Sequence, residues 1–127
     1  MEIKRDNKRS FGKLGEELAA KYLSQNGYKL LEMNYRVGRM GEIDIIAAEE
    51  EYICFIEVKT RTNNFFGEPC ESVGKRKQYS IRKLAWAYLK QHKLTERCVR
   101  FDIFEIIGQK KDGELLPKKV NLIRNAF

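Results

Sequence analysis

The chain has 127 residues, a formal net charge of +7, 43% hydrophobic residues and fourteen aromatics (seven Phe, six Tyr, one Trp). That length supports one core, so a single domain over 1–127 is expected, and the composition excludes an intrinsically disordered chain. No apolar run is long enough to span a bilayer, and the charged start MEIKRDNKRS lacks the apolar stretch of a secretory signal, so a cytoplasmic protein with no membrane partner is expected.

In chain order, Ser10 can cap a helix running to about Gln25, stopped by Asn26-Gly27, with Phe11, Leu14, Leu18 and Tyr22 as its inner stripe. "YKLLEMNYRV" (28–37) reads as a strand and 38–41 as a loop. "EIDIIAA" (42–48) and "ICFIEVKTR" (53–61) read as strands joined by a turn in "EEEY". A loop with Gly and Pro covers 62–72. A second helix, capped by Ser72 and ending near His92, turns Ile81, Leu84, Ala85 and Tyr88 inward, with Trp86 off that stripe as a partner-facing or second-core residue. "CVRFDIFEII" (98–107) is a further strand, "KKDGE" a hairpin turn, and "VNLIRNAF" (120–127) a short strand or a segment lying on the core. The strand–helix–strand passage through the second helix implies a parallel pair, hence an α/β fold with a mixed sheet. The three cysteines, Cys54, Cys70 and Cys98, are widely spaced and read as reduced thiols; the lone His92 reads as a helix-surface residue.

The charge is localised. From Ser72 to Thr95 there is no acidic residue, while Lys75, Arg76, Lys77, Arg82, Lys83, Lys90 and Lys93 contribute seven bases; the other eighteen bases match the eighteen acids. Such a stripe on a helix suits a polyanion, and equally a solvated face.

The strand "FIEVKTR" carries two charges, Glu57 and Lys59, among core residues, and burying either costs energy unless it is paired or bound. With 49–52 as the turn, Ala48 faces Ile53 and Asp44 falls opposite Glu57. Lys59, two residues on, shares that face. Two carboxylates so placed repel each other, and a divalent cation relieves the repulsion. Few ligands, all oxygen, suit Mg²⁺ or Mn²⁺ completed by water and a phosphate, and the chemistry that uses these parts is phosphodiester hydrolysis. A purely structural charged triad is the other reading of the same residues. Arg61 shares the Glu57/Lys59 face. With Arg36 and Arg39, near the loop before the acidic strand, it is expected to hold phosphates.

On the first helix Glu17 has Lys13 and Lys21 at i−4 and i+4, a solvated ridge, whereas Glu16 has Gly12 and Ala20 there. Small neighbours let that flank approach the sheet, so Glu16 is expected to add a ligand or hold a water. Lys77 and Gln78 flank the inward stripe of the second helix near its N-terminus, where they are expected to aim at a phosphate together with Lys75, Arg76 and Arg82.

"GEID" at 41–44 followed by "FIEVKTR" at 55–61 resembles the D…ExK signature of the PD-(D/E)xK nuclease superfamily. More narrowly, "GKLGEELAAKYL" (12–23), "NYR" (34–36), "GEIDIIA" (41–47), "KRKQ" (75–78), "RFDIFEI" (100–106) and the closing "NAF" resemble the small bacterial UPF0102, or YraN-like, family over nearly the whole chain. The family is similar in fold and motif to archaeal Holliday-junction resolvases. The resemblance implies a restriction-endonuclease-like αβββαβ core flanked by helices. It also implies a Mg²⁺- or Mn²⁺-dependent endonuclease acting on DNA, including branched or damaged DNA. Asp44, Glu57 and the Val58 carbonyl would hold the metal, Lys59 would position the attacking water, Glu16 would add a ligand directly or through water, and Gln78 would assist. Symmetric cutting of both strands would require a homodimer. Two other readings stay open: a non-catalytic nucleic-acid-binding module of the same fold, and a protein-interaction domain whose basic stripe meets an acidic partner.

Overall fold

A computed structural model of the protein describes residues 10–63 and 73–127. Its elements are α1 (Phe11–Gln25), β1 (Lys29–Arg36), β2 (Glu42–Glu49), β3 (Tyr52–Arg61), α2 (Lys75–Gln91), β4 (Cys98–Lys111) and β5 (Glu114–Ile123). They build the expected α/β core: one five-stranded mixed sheet in the order β1-β2-β3-β4-β5. The β3–β4 pair, joined through α2, is parallel; the other three pairs are antiparallel.

Alternation along the strands sends side chains to two cores. On one face Ile53, Phe55 and Ile103 pack with Ile81, Leu84, Ala85 and Tyr88 of α2. On the other, Ile45, Cys54, Ile56, Phe104 and Ile106 pack with Ala19, Ala20 and Leu23 of α1. Because both faces are covered, apolar residues run consecutively through Ile53–Ile56 of β3 rather than alternating.

Local signals set most boundaries. Ser10 caps α1, its Oγ accepting from the Lys13 N–H at 3.0 Å, and Asn26 and Gly27 end it. The β4–β5 hairpin turns on Asp112 and Gly113, both at positive φ (54° and 79°), the pairing that a right-twisted two-residue turn favours.

Four expectations are corrected. The stripe of α1 is rotated: Leu14 is buried as expected, but Gly15, Ala19, Ala20 and Leu23 complete it, Phe11 and Leu18 sit at its margin, and Tyr22 is 41% exposed. At Gly15 the helix lies too close to the sheet for a side chain, while Leu14 and Leu23 fill the core on either side of it. Close approach is made by Gly15, where an added Cβ would stand 1.9 Å from Thr60 Oγ1, and not by Gly12, which faces open space. Helix α2 is capped by Gly74 without a side-chain bond; the expected cap Ser72, Cys70 and most of the 62–72 loop lie outside the described residues. Finally, the last strand starts at Glu114 rather than at Val120. Pro117 and the two lysines after it resemble a loop in sequence, but β5 is the edge strand, which tolerates a proline beside the register shift at Gly108. The tail then folds onto the core: Ala126 N–H donates to Phe101 O at 2.8 Å.

Among the described residues, no helix is long and apolar enough to cross a membrane. Cys54 is buried and Cys98 exposed, both as free thiols. His92 is exposed at the end of α2, its ring 4.2 Å from that of Tyr88.

Candidate active site

The site forms where β2 and β3 part. Their ladder follows the expected register, Ala48↔Ile53 through Ile45↔Ile56, and then stops. One step further places Asp44 across from Glu57. There the Asp44 side chain replaces the backbone ladder: its Oδ2 accepts from the Val58 N–H at 2.8 Å. Burial is the largest influence on Asp44 and the charge of Glu57 the next; despite the Val58 N–H, they push its pKa up to about 7, with Glu16 adding to the rise.

Glu57 faces α2 and is 2% exposed. Its Oε2 pairs with Lys77 Nζ at 3.0 Å, while its Oε1, also buried, has no hydrogen-bond partner among the described residues. A carboxylate oxygen left so in a core is a costly arrangement that a bound cation or water would relieve. Lys59 lies in the same cluster, half-buried. Burial pushes its pKa below the ordinary lysine range, the adjacent Lys77 ammonium pushes it further, and Glu57 and Asp44 pull it back. Burial alone would lower Lys77 too, but the charge and hydrogen bond of Glu57, with Lys59 and Asp44, raise it. Two carboxylates and two lysines thus share one patch, with the cations on opposite courses.

Glu16 stands beside this patch rather than within a shared ligand shell. Its Oε1 accepts from Asn34 Nδ2 at 2.8 Å and lies 3.6 Å from Lys13 Nζ, and Lys13 in turn donates to Asn34 Oδ1 at 2.9 Å. Among the described residues no three acidic, His or Cys side chains form a group able to hold a metal, so the site carboxylates are a pair and not a trio. Glu17 is exposed, as expected.

The expected phosphate contacts divide. Lys75, Arg76 and Arg39 are exposed and open to a polyanion. Arg36 pairs with Glu42 at 3.4 Å on the surface. Arg61 does share the Glu57/Lys59 face, but it turns inward to pair with buried Glu105 of β4. Arg82 lies over the Phe101 ring, 4.5 Å from its centroid. Gln78 donates from Nε2 to Val73 O at 2.8 Å, holding the entry to α2 instead of reaching the carboxylates. A cavity of about 440 Å³ lies between the Gly41 turn and α2, with Met40, Glu42, Arg76, Ile81 and Leu84 in its lining, and of the patch residues Lys77 alone borders it.

Three residues of this neighbourhood were not singled out by sequence reasoning in the roles they take. Lys77 is expected from the charge stripe as a phosphate contact, yet it is the partner of Glu57. Asn34 holds Glu16; its signal is an asparagine inside a strand, at φ 53°. Glu105 holds Arg61, and a buried acid in "FDIFEI" facing a basic strand was the available sign.

Comparison with known proteins gives a family. The model of "Uncharacterised protein family UPF0102" matches residues 15–106, which span α1 to β4 and include every member of the patch. A UPF0102 protein of Acetivibrio thermocellus is 46% identical over 123 residues, 97% of this chain and 95% of that one. One from Caldanaerobacter subterraneus subsp. tengcongensis is 44% identical over 98% of this chain and all of its own length, and one from Dictyoglomus turgidum is 47% identical over 95% and 99%. The chain therefore belongs to the UPF0102 family.

Proposed function

We propose that the protein is a metal-dependent endonuclease that hydrolyses DNA phosphodiester bonds. The observation that carries this reading is the state of Glu57: a carboxylate 2% exposed, one oxygen on Lys77 and the other without a hydrogen-bond partner among the described residues, across from an Asp44 whose proton it helps to retain. Such a pair is poor as a structural device and well suited to a hard dication. Asp44, Glu57 and the Val58 carbonyl would hold Mg²⁺ or Mn²⁺, which would polarise the phosphoryl oxygen and acidify a bound water.

The chain's own residues supply the rest. Lys59, with its affinity for a proton reduced by burial, is suited to orient the attacking water and to exchange a proton with it. Glu16, fixed by Asn34, holds a water at the edge of the site rather than a ligand position. Lys77, at the mouth, balances the charge of Glu57 and stands where a phosphate would enter. Lys75, Arg76 and the other bases of α2 grip backbone phosphates without reading sequence.

The test is nicking of supercoiled plasmid, and cleavage of linear, nicked, flapped and four-way DNA, in Mg²⁺ or Mn²⁺. Activity lost in Lys59→Ala and in Asp44→Ala supports the reading; intact DNA across the whole panel ends it. The Lys77–Glu57 pair favours one other reading. A lysine that already neutralises the carboxylate is what a non-catalytic nucleic-acid-binding module of this fold would keep. Salt-sensitive binding with no cleavage identifies that case.

A further inference from the structure

Helix α2 has an outward line that neither the cores nor the carboxylate patch uses. Ile81, Leu84, Ala85, Tyr88 and Leu89 face inward. Positions 79, 83, 86 and 90, at heptad spacing, therefore lie along the opposite pole. Tyr79 is 61% exposed and Trp86 53%. Each ring carries the lysine one turn on: Lys83 Nζ is 5.0 Å from the Tyr79 centroid, and Lys90 Nζ 5.9 Å from the Trp86 centroid. The line thus repeats one unit twice, an accessible aromatic ring with an ammonium held at it.

We propose that this line is a platform for single-stranded nucleic acid, with unpaired bases stacked on Tyr79 and Trp86 and phosphates on Lys83 and Lys90. Charge complementarity selects a polyanion, because residues 72–95 contain no acid. It also disfavours a second copy of the same face, which would set these cations against each other with no carboxylate of α2 between them. The rings select unpaired bases: an aromatic face binds an exposed base face, and a duplex keeps its bases stacked on one another. At about 1.5 Å rise per residue the rings are about 10 Å apart along the helix, wider than the roughly 3.4 Å step of a stacked strand, so the bases would be splayed. The proposal rests on the nuclease reading only in naming its substrate more closely, as DNA with an unpaired segment.

Trp86 is the only tryptophan, so its fluorescence reports on the platform directly. The full chain in EDTA, where cleavage is silent, is titrated with an oligothymidylate of about 12 nucleotides, a duplex of equal length and phosphatidylglycerol vesicles. The oligonucleotide is expected to quench Trp86 more than the duplex does. Tyr79→Ala and Trp86→Ala, the latter followed by anisotropy of a labelled strand, should each weaken single-strand binding about tenfold and duplex binding little, with Trp86→Phe restoring most of the loss. Lys83→Gln with Lys90→Gln should reduce the slope of log K against log salt by about 1.4. Unchanged melting temperatures in these surface variants separate lost stacking from lost fold. Equal binding of strand and duplex with no effect of the ring variants overturns the proposal, as does quenching by vesicles alone. A chain that binds the strand in this way but cleaves nothing keeps the platform and loses the nuclease. A chain that cleaves while its ring variants bind as the parent does the reverse.

Discussion

Asp44 and Val58 are joined by a hydrogen bond from the Val58 N–H to Asp44 Oδ2 at 2.8 Å, at the point where the backbone ladder between β2 and β3 ends at Ile45↔Ile56. The side chain does the work of the missing ladder and is held at the mouth of the strand pair. Asn at this position can still accept that bond, whereas Ala cannot. Asp44→Asn should fold as stably as the parent at acid pH, and more stably above pH 7 where the parent's carboxyl is ionised, yet fail to bind Mn²⁺ in a calorimetric titration. Asp44→Ala should fail likewise and melt lower than Asp44→Asn, by about 1 kcal/mol for the stranded N–H. Equal Mn²⁺ affinity in the parent and Asp44→Asn would remove Asp44 from the metal site.

The same carboxyl sets a pH dependence. Its pKa rises from 3.8 to about 7 on folding, because burial and the Glu57 charge disfavour the anion. The native state therefore binds the proton more tightly than the unfolded chain. The stabilisation is full below the unfolded value and is lost as pH rises to about 7. In EDTA, stability from urea unfolding should fall over that window and level above it. Asp44→Asn should flatten that part of the profile; an unchanged slope would place the titration elsewhere.

Lys77 and Glu57 test what a buried carboxylate requires. Lys77→Met leaves Glu57 with neither oxygen paired to Lys77, and should destabilise the metal-free protein by about 1–2 kcal/mol, below the figure for a fully buried pair because the Lys77 side chain is 45% exposed. Glu57→Gln in the Lys77→Met background should recover most of that loss. Denaturant midpoints of the single and double variants give the coupling, and additive effects would show that the pair contributes nothing.

Gly15 tests the seat of α1. A methyl group there would stand 1.9 Å from Thr60 Oγ1 and 3.0 Å from Thr60 Cβ. Although alanine favours a helix, Gly15→Ala should destabilise by about 1–3 kcal/mol through overpacking, and Thr60→Ala should relieve part of it. Gly12→Ala, with open space around it, should be neutral or slightly stabilising. A Gly15→Ala variant as stable as the parent would mean that the helix can lift without loss.

Much of this protein is legible in its sequence because the signals are local. Ser10 and Asn26-Gly27 bound α1 through caps, Asp112-Gly113 makes a turn, and apolar spacing in "IRKLAWAYL" orients α2 with Trp86 outside. The two-residue turn at Glu50-Glu51 fixes a register, and with it the position of Asp44 across from Glu57, since side-chain alternation leaves no other choice once one pair is set.

What the sequence alone could not decide is which charges meet. Arg61 and Lys77 look alike as cations near a phosphate; the parallel pairing of β3 with β4 gives Arg61 to Glu105, and the packing of α2 gives Lys77 to Glu57. Glu16 was separated from Glu17 by helical spacing, but its distance from the carboxylate pair depends on Asn34 and on how deeply Gly15 seats the helix. Periodicity records the direction in which a side chain leaves its own element. The partner it finds depends on the separation and rotation of whole elements, and those are set by the packing of both cores at once.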